Sequence, residues 1–207
     1  MWNEIINDHL WSYEDFLSIS SLESVLDTIN SSIVVEKDSH DADHYIGVTH
    51  YNYSVVKHNF RQDAVLVSEV LNKLNLLYVP LLGKAASPES INGNAFWAKV
   101  FNPHSNFEMH VETKDAFGEV VFLLYLSNEI DGALVLPDER TARQLHWTQG
   151  FQDIYDKHPV DFVGPYRFLP KSNTCIVMRV ETAHLVEPCT GLRPTLNGWS
   201  FNSGIKC

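Results

Sequence analysis

Basic side chains are scarce in this chain. Its 15 Lys and Arg stand against 26 Asp and Glu, giving a formal net charge of −11, and the cations are scattered without forming a patch. Such a chain repels phosphate backbones, which argues against a nucleic-acid partner. Cysteine is scarce too. Cys175, Cys189 and Cys207 are far apart and odd in number, which suits reduced thiols and provides neither a disulfide frame nor a thiolate zinc site. No window approaches the roughly eighteen uninterrupted apolar residues of a membrane span. The opening MWNEIINDHLWSYEDF carries acids and lacks the basic region that precedes the apolar run of a signal peptide. Repeats, low-complexity tracts and linkers are also missing. The expectation is a cytoplasmic protein with neither membrane nor nucleic acid as partner.

What is present is an ordinary globular composition, 44% hydrophobic and 12% aromatic over 207 residues, enough for one sizeable domain spanning 1–207. Two helices are readable early. Ser20 and Glu23 have capping-box spacing, and Leu22, Val25, Leu26 and Ile29 follow at the spacing of one apolar face. A second helix is predicted from about Arg61 to Leu76, with Val67, Val70, Leu71 and Leu74 as its stripe. From about Ala95 the texture changes to short β-rich runs: AFWAKVF (95–101), FEMHVE (107–112), EVVFLLYL (119–126), GALVL (132–136), TCIVMRV (174–180) and LRPTLNGWSF (192–201). Turn signals at Asn102-Pro103, Asn128, Asp131-Gly132 and Thr190-Gly191 separate them. Many short strands in succession indicate an antiparallel barrel or sandwich such as a jelly roll, with residues 1–94 as its helical and strand support. Residues 137–168 interrupt the pattern. A gap of that length predicts a lid or substrate-facing insertion, carrying Arg143, His146, Trp147 and Tyr155.

The chemistry-bearing residues begin with His110-Val111-Glu112. On a strand, positions i and i+2 share a face, so an imidazole and a carboxylate project together. His184 follows in ETAHLVEP. Two imidazoles and one carboxylate on one face of an octahedron leave positions open for co-substrate and O₂, the ligand set of non-haem iron(II) oxygenases. Farther on, GLRPTLNGW places Arg193 on a predicted strand face with Thr195 and Asn197. A guanidinium fork there can grip a carboxylate bidentately, with a hydroxyl beside it. Unpaired, an inward Arg is costly to bury.

These pieces, with LLYLSNEIDGALVL (123–136), LPKSNTCIVM (169–178) and HLVEPCTGLRPTLNGWSF (184–201), resemble in order and spacing the 2-oxoglutarate-dependent dioxygenases, and within them the prolyl-4-hydroxylase-like branch. The resemblance covers roughly 95–201, with a weaker likeness in YEDFLSISSLESVLDTI (13–29). It implies a mostly β fold: a double-stranded β-helix (jelly-roll, cupin-like) catalytic core over 95–201, with N-terminal helices packed on it. It implies Fe(II), 2-oxoglutarate as co-substrate and O₂, with ascorbate as an accessory reductant. By the same resemblance His110, Glu112 and His184 are the iron ligands, and Arg193 with Thr195 clamps the distal carboxylate of 2-oxoglutarate. Tyr125 would offer its hydroxyl to that carboxylate, or stand as a core aromatic reaching the barrel rim. The chain departs from the branch at Glu112, where Asp is usual, which weakens the link to a prolyl substrate.

The implied activity is hydroxylation of an unactivated C–H, on a prolyl residue of a peptide or protein, or on a free amino acid or small metabolite. A non-catalytic jelly-roll binding protein is the alternative from another class. Nucleobase demethylation is disfavoured, because the branch that performs it has a second Arg where this chain has Trp199. His40, Asp41, Asp43 and His44 form a second acidic cluster that reads best as a solvated loop. His104 and His146 have no paired spacing. Glu181 and Glu187 flank His184 as partners for its free ring nitrogen or, on the better reading, as exposed turn acids.

Overall fold

The structure is a computed structural model that describes residues 1–32, 34–37, 53–56, 58–88, 90, 96–104, 106–127, 132–169 and 171–201. His40, Asp41, Asp43 and His44 lie outside the described residues, as do Ala95, Asn128, Asp131, Pro170 and Cys207. The first half of the chain runs β1 (Asn3–Ile6), β2 (Leu10–Tyr13), α1 (Ile19–Ser31), β3 (Val34–Lys37), β4 (Tyr53–Val56) and α2 (Ala64–Leu82). Next come β5 (Trp97–Phe101), β6 (Phe107–His110), α3 (Lys114–Phe117), β7 (Val120–Tyr125) and β8 (Leu134–Leu136). The last elements are α4 (Glu139–Leu145), α5 (Gln149–Tyr155), β9 (Tyr166–Phe168), β10 (Thr174–Arg179), β11 (His184–Val186) and β12 (Arg193–Ser200).

The strands form a large sheet in the order β1-β2-β10-β7-β12-β5-β4-β3 and a small sheet in the order β6-β11-β8-β9. From β5 onward the chain crosses repeatedly between the two sheets, and every neighbouring strand pair is antiparallel. This is the expected jelly roll.

Period-two alternation gives each central strand two destinations. On the large sheet, Ala98, Val100, Phe122, Leu124, Val177 and Leu196 face away from the barrel and pack with Val25 and Ile29 of α1 and with Val70, Leu74 and Tyr78 of α2. Their neighbours Phe101, Val121, Tyr125, Ile176, Met178 and Trp199 turn inward and meet Phe107, Leu134 and Leu136 of the small sheet.

The helices differ from expectation at their ends. Ser18, not Ser20, caps α1, accepting from the Ser21 amide. The cause is a tertiary partner: Glu69 on α2 accepts from the Ser18 amide and the Ser21 hydroxyl, both at 2.6 Å. Asp63 caps α2 by accepting from the Val65 and Leu66 amides, after a single 3₁₀ turn at Phe60–Gln62. The helix then runs past Leu76 to Leu82, because the buried Leu77 and Tyr78 extend its stripe, and it stops at Gly83 in the left-handed region, φ 69°. At 19 residues and mean hydropathy 1.4, α2 is long and apolar enough to cross a membrane. Its apolar face is taken up by the large sheet, as in a core helix.

Residues 137–168, expected as a lid or substrate-facing insertion, hold α4, α5 and β9, and the two helices pack on the outside of the barrel. Ala142, Phe151 and Ile154 pack against Met109, Val111, Ala183 and Leu185 on the outer face of the small sheet, opposite the face from which His110 projects. A helix pair with an apolar side has to cover something, and this sheet face is what it covers.

Asn173 joins the N-terminal segment to the sheet. Its side chain accepts from the Leu17 amide at 2.7 Å and donates to the Leu17 carbonyl at 2.8 Å, and its own carbonyl accepts from Phe16. It sits at φ 55°, a conformation Asn tolerates better than most residues. Asn173→Ala strands two buried backbone groups in a strained turn, so a loss of about 2–4 kcal/mol is expected in urea unfolding. Asn173→Gly, which relieves the backbone but makes neither bond, should fall between that variant and the wild type.

Candidate metal centre

His110 is the last residue of β6, and its Cα pairs directly with that of His184, the first residue of β11. Glu112 lies just beyond the strand end, in extended chain leading to α3, where its carbonyl accepts from the Glu181 amide at 2.7 Å. Their outward neighbours Met109, Val111, Ala183 and Leu185 are fixed under α4 and α5, so His110, Glu112 and His184 all turn inward. The three side chains are buried, and one ligand atom from each lies within 4.8 Å of the others. Nε2 of His184 is 3.7 Å from Glu112 Oε2, and the imidazole centroids are 4.1 Å apart.

Hydrogen bonding sets both tautomers. Nδ1 of His110 lies 2.7 Å from the Glu108 carbonyl, and Nδ1 of His184 lies 2.8 Å from the Thr182 carbonyl. A carbonyl only accepts, so each Nδ1 carries the proton and each Nε2 keeps its lone pair. Glu112 Oε2 is buried without a hydrogen-bond partner among the described residues. Two lone pairs and a carboxylate oxygen converging in a buried site form a donor set for a divalent cation. Burial, reinforced by His184, holds the His110 pKa well below its ordinary value of 6.5. It is therefore neutral at pH 7, as a metal ligand must be.

The triad opens on a cavity of about 50 Å³ lined also by Lys99, Phe101, Phe107, Thr195, Asn197 and Trp199. Arg193, Thr195 and Asn197 share one face of β12, which Trp199 continues, and Thr195, Asn197 and Trp199 line the cavity. Arg193 lies one inward step beyond the cavity and is 1% exposed. Its Nη1 donates to the Gly132 carbonyl at 3.0 Å, and its guanidinium lies 4.5 Å from the Phe101 ring centre. Nε and Nη2 have no hydrogen-bond partner among the described residues. Tyr125, at the end of β7, is cross-strand from Thr195 and buried. Its pKa is pushed up to about 12 by burial, with the nearby Arg193 charge opposing. The Thr195 hydroxyl sits 3.5 Å from the Lys99 carbonyl.

None of Arg143, His146, Trp147 and Tyr155 lines this cavity. Arg143 pairs with Glu139 at 2.8 Å and stacks over Trp147 at 4.2 Å. His146 and Trp147 border a separate groove of about 390 Å³ on the far side of Phe107 and Val186, which wall both spaces. Glu181 and Glu187 are turn acids paired with Lys114 at 3.4 Å and Arg167 at 2.6 Å, so neither orients His184. Sequence reasoning missed Lys99, whose amine is buried in the cavity wall. Burial lowers its pKa to about 7, with the Glu112 charge opposing. The signal was available: a lone cation in the apolar run AFWAKVF, in step with the inward Phe101.

No protein-family model matches the chain, and no curated protein sequence matches it. Solved structures do. A Pseudomonas putida prolyl-4-hydroxylase is 14% identical with a TM-score of 0.56, covering 95% of this chain and 94% of that one. A Trichoplax adhaerens prolyl hydroxylase, in complex with a hypoxia inducible factor oxygen degradation domain peptide fragment, is 12% identical with a TM-score of 0.59, over 95% and 84%. A Burkholderia pseudomallei oxidoreductase of the 2OG-Fe(II) oxygenase family is 12% identical with a TM-score of 0.57, over 95% and 86%. At these identities the likeness is one of fold.

The His110 shift makes a pH test. With its folded pKa depressed, His110 stays neutral in the native state while the unfolded chain takes up the proton below pH 6.5, so stability falls as pH drops. The slope from one such group is at most about 1.4 kcal/mol per pH unit. Urea unfolding of the metal-free protein between pH 7 and 5 should show a shallower loss for His110→Asn than for the wild type. Equal losses would place the His110 pKa in the ordinary range.

Proposed function

We propose that this chain is an iron(II)- and 2-oxoglutarate-dependent dioxygenase that hydroxylates an unactivated C–H. The observation that carries this reading is the buried His110–Glu112–His184 triad, with both Nδ1 atoms engaged and both Nε2 atoms and Glu112 Oε2 free to ligate. The fold likeness to prolyl-4-hydroxylase and 2OG-Fe(II) oxygenase structures supports it.

The residues fit the implied groups. Two neutral imidazoles and a carboxylate suit ferrous iron and leave coordination positions open. Arg193 fits the distal carboxylate of 2-oxoglutarate: two of its donors are buried without hydrogen-bond partners among the described residues, and a carboxylate is the group that satisfies a guanidinium fork. With iron and 2-oxoglutarate bound, the pair supplies the oxidising chemistry, O₂ being consumed as the oxo acid becomes succinate and CO₂ and the substrate gains a hydroxyl. The protein positions and desolvates. Glu108 and Thr182 carbonyls aim the imidazoles, and Gly132 and Phe101 hold the guanidinium. Thr195 lines the cavity between the triad and the Arg193 end of β12, and Tyr125 is its cross-strand neighbour. Phe107, Val121, Leu123 and Leu134 keep the cavity wall apolar.

A prolyl residue of a peptide is one substrate reading, supported by the likeness to prolyl hydroxylases, one of them holding a peptide. A free amino acid or small metabolite is the other.

In an assay of iron-dependent succinate formation, His110→Ala and His184→Ala should each abolish turnover while circular dichroism stays native. Retained activity in both would sink the assignment. Arg193→Ala is expected to raise the 2-oxoglutarate requirement at least about tenfold, roughly 1.4 kcal/mol, with Arg193→Lys in between and metal affinity unchanged. Gly132 offers a second handle on the same clamp. A Cβ there would collide with Nη1 of Arg193 and come within 2.6 Å of the Glu187 carbonyl. Gly132→Ala should therefore weaken 2-oxoglutarate binding in calorimetry without altering metal binding, and unchanged affinity would remove Arg193 from the co-substrate site.

A further inference from the structure

One buried polar group in the cavity wall belongs neither to the metal donor set nor to the co-substrate clamp. Asn197 stands in the middle of β12, one inward position beyond Thr195, and lines the same space as the triad. It is 3% exposed, and its Oδ1 is buried without a hydrogen-bond partner among the described residues. Val121, Leu123 and Leu134 line that space too, so the acceptor sits in a largely apolar wall. Asn is an unfavourable choice there. Strands disfavour it, and an unmet buried acceptor costs more than a hydrogen bond returns. The strand does not need its side chain either, because the backbone of β12 is paired on both sides, to β5 and to β7. A Leu at the same position would continue the apolar wall without an unmet acceptor.

Chemistry limits what can meet that oxygen. Oδ1 accepts and cannot donate, so its partner must bring an N–H or O–H. Resting on the proposed function, the other occupants of the site bring none. Ferrous iron carries no proton, the 2-oxoglutarate dianion has only acceptor oxygens, and O₂ has no hydrogen. Water serves as donor only until a substrate fills a space of about 50 Å³. We propose that Asn197 is a specificity-determining residue whose Oδ1 accepts an N–H or O–H of the substrate, beside the C–H that is hydroxylated. A substrate with a donor there satisfies the oxygen, and one without it leaves the oxygen buried and unpaired. This divides the candidate substrates. The nitrogen of a prolyl residue inside a peptide bears no hydrogen, so the residue offers Oδ1 nothing. A free amino acid, or a peptide residue other than proline, brings its own N–H.

The test uses the whole chain loaded with Zn(II), which is redox-inert, and saturating 2-oxoglutarate. N-methylacetamide and methyl acetate are titrated in; they share one shape and differ in an N–H replaced by an ether oxygen. Binding is read from the indole resonance of Trp199, which lines the cavity. Wild type should bind N-methylacetamide at least about tenfold more tightly than methyl acetate. Asn197→Leu should abolish that preference, and Asn197→Asp, which keeps an acceptor oxygen, should retain it. Without ligands Asn197→Leu should melt no lower than wild type, since it removes an unmet acceptor, and its 2-oxoglutarate affinity should stay within about threefold. Displacement of N-methylacetamide by free amino acids, or by short peptides with a central Ala, then identifies the source of the N–H. Equal binding of the two probes by wild type, including none at all, overturns the proposal, as does the same preference in Asn197→Leu. A lower melting temperature for Asn197→Leu would make Asn197 structural, and lost 2-oxoglutarate binding would assign it to the co-substrate; either overturns the proposal. Displacement only by peptides with a central Pro, or by none of these molecules, overturns it too. Should the wild type bind no 2-oxoglutarate, the proposed function fails instead, and the same two probes without it still decide what Asn197 recognises.

Discussion

The candidate metal centre depends on what lies behind it. Met109, Val111, Ala183 and Leu185 are buried on the outside of the small sheet by Ala142, Phe151 and Ile154. Because neighbouring side chains in extended structure point opposite ways, fixing these residues outward forces His110, Glu112 and His184 inward. A one-residue slip of β11 against β6 would exchange the two sets. It would expose the apolar residues, at about 1.5–3 kcal/mol for each large one, and would separate the triad. Register here is protected by packing on a face the ligand never meets. That gives α4 and α5 a structural role in holding the site.

Holding the triad in register also means accepting unfavourable burial. Glu112, Lys99 and Arg193 are ionisable groups taken out of water, and among the described residues Glu112 Oε2, Arg193 Nε and Arg193 Nη2 lack hydrogen-bond partners. Each such atom costs about 1–3 kcal/mol or more until a ligand satisfies it. Such a site is stabilised by what it binds. The fold keeps Arg193 oriented meanwhile through one carbonyl and one aromatic face, Gly132 and Phe101, leaving the remaining donors available.

How much of this was legible follows physical lines. The β12 alternation could be read because Arg193, Thr195 and Asn197 interleave with Pro194, Leu196 and Gly198, and the structure sends the two sets to opposite faces. His110, Glu112 and His184 were found from spacing and resemblance, and the structure brings them together. What escaped has weak local signals. β1 and β2 are four residues each, too short to alternate distinctly, and exist because β2 pairs with β10 and β1 with β2. α4 and α5 have seven residues each, barely two turns, and gain stability from the sheet beneath them. The α1 cap moved to Ser18 because Glu69, fifty-one residues away, bonds to its amide, which no local motif encodes. Lys99 was overlooked for the opposite reason. Its signal is local, but a single Lys in an apolar run reads as a solvent-facing residue until the strand's partners are known.

The division of apolar packing between the faces explains why the barrel can be polar inside. Tyr78, Phe60, Leu66 and Leu74 are among the largest fully buried side chains, and all belong to the cluster between the large sheet and its helices. The interior cluster is smaller and shares its volume with the triad, Lys99 and Arg193. A jelly roll relying on its interior alone would need apolar residues where this chain places ligands and cations. Packing α1 and α2 behind β7, β10 and β12 moves the main hydrophobic core outside the barrel, so inward positions are released from the duty of stability. The N-terminal third is therefore a thermodynamic condition of the site. Ser200 shows the coupling in one contact. On the outward side of β12, its hydroxyl lies 3.2 Å from that of Tyr78 on α2, while Trp199, its neighbour, turns inward to the cavity. Helix and cavity thus read opposite faces of one strand.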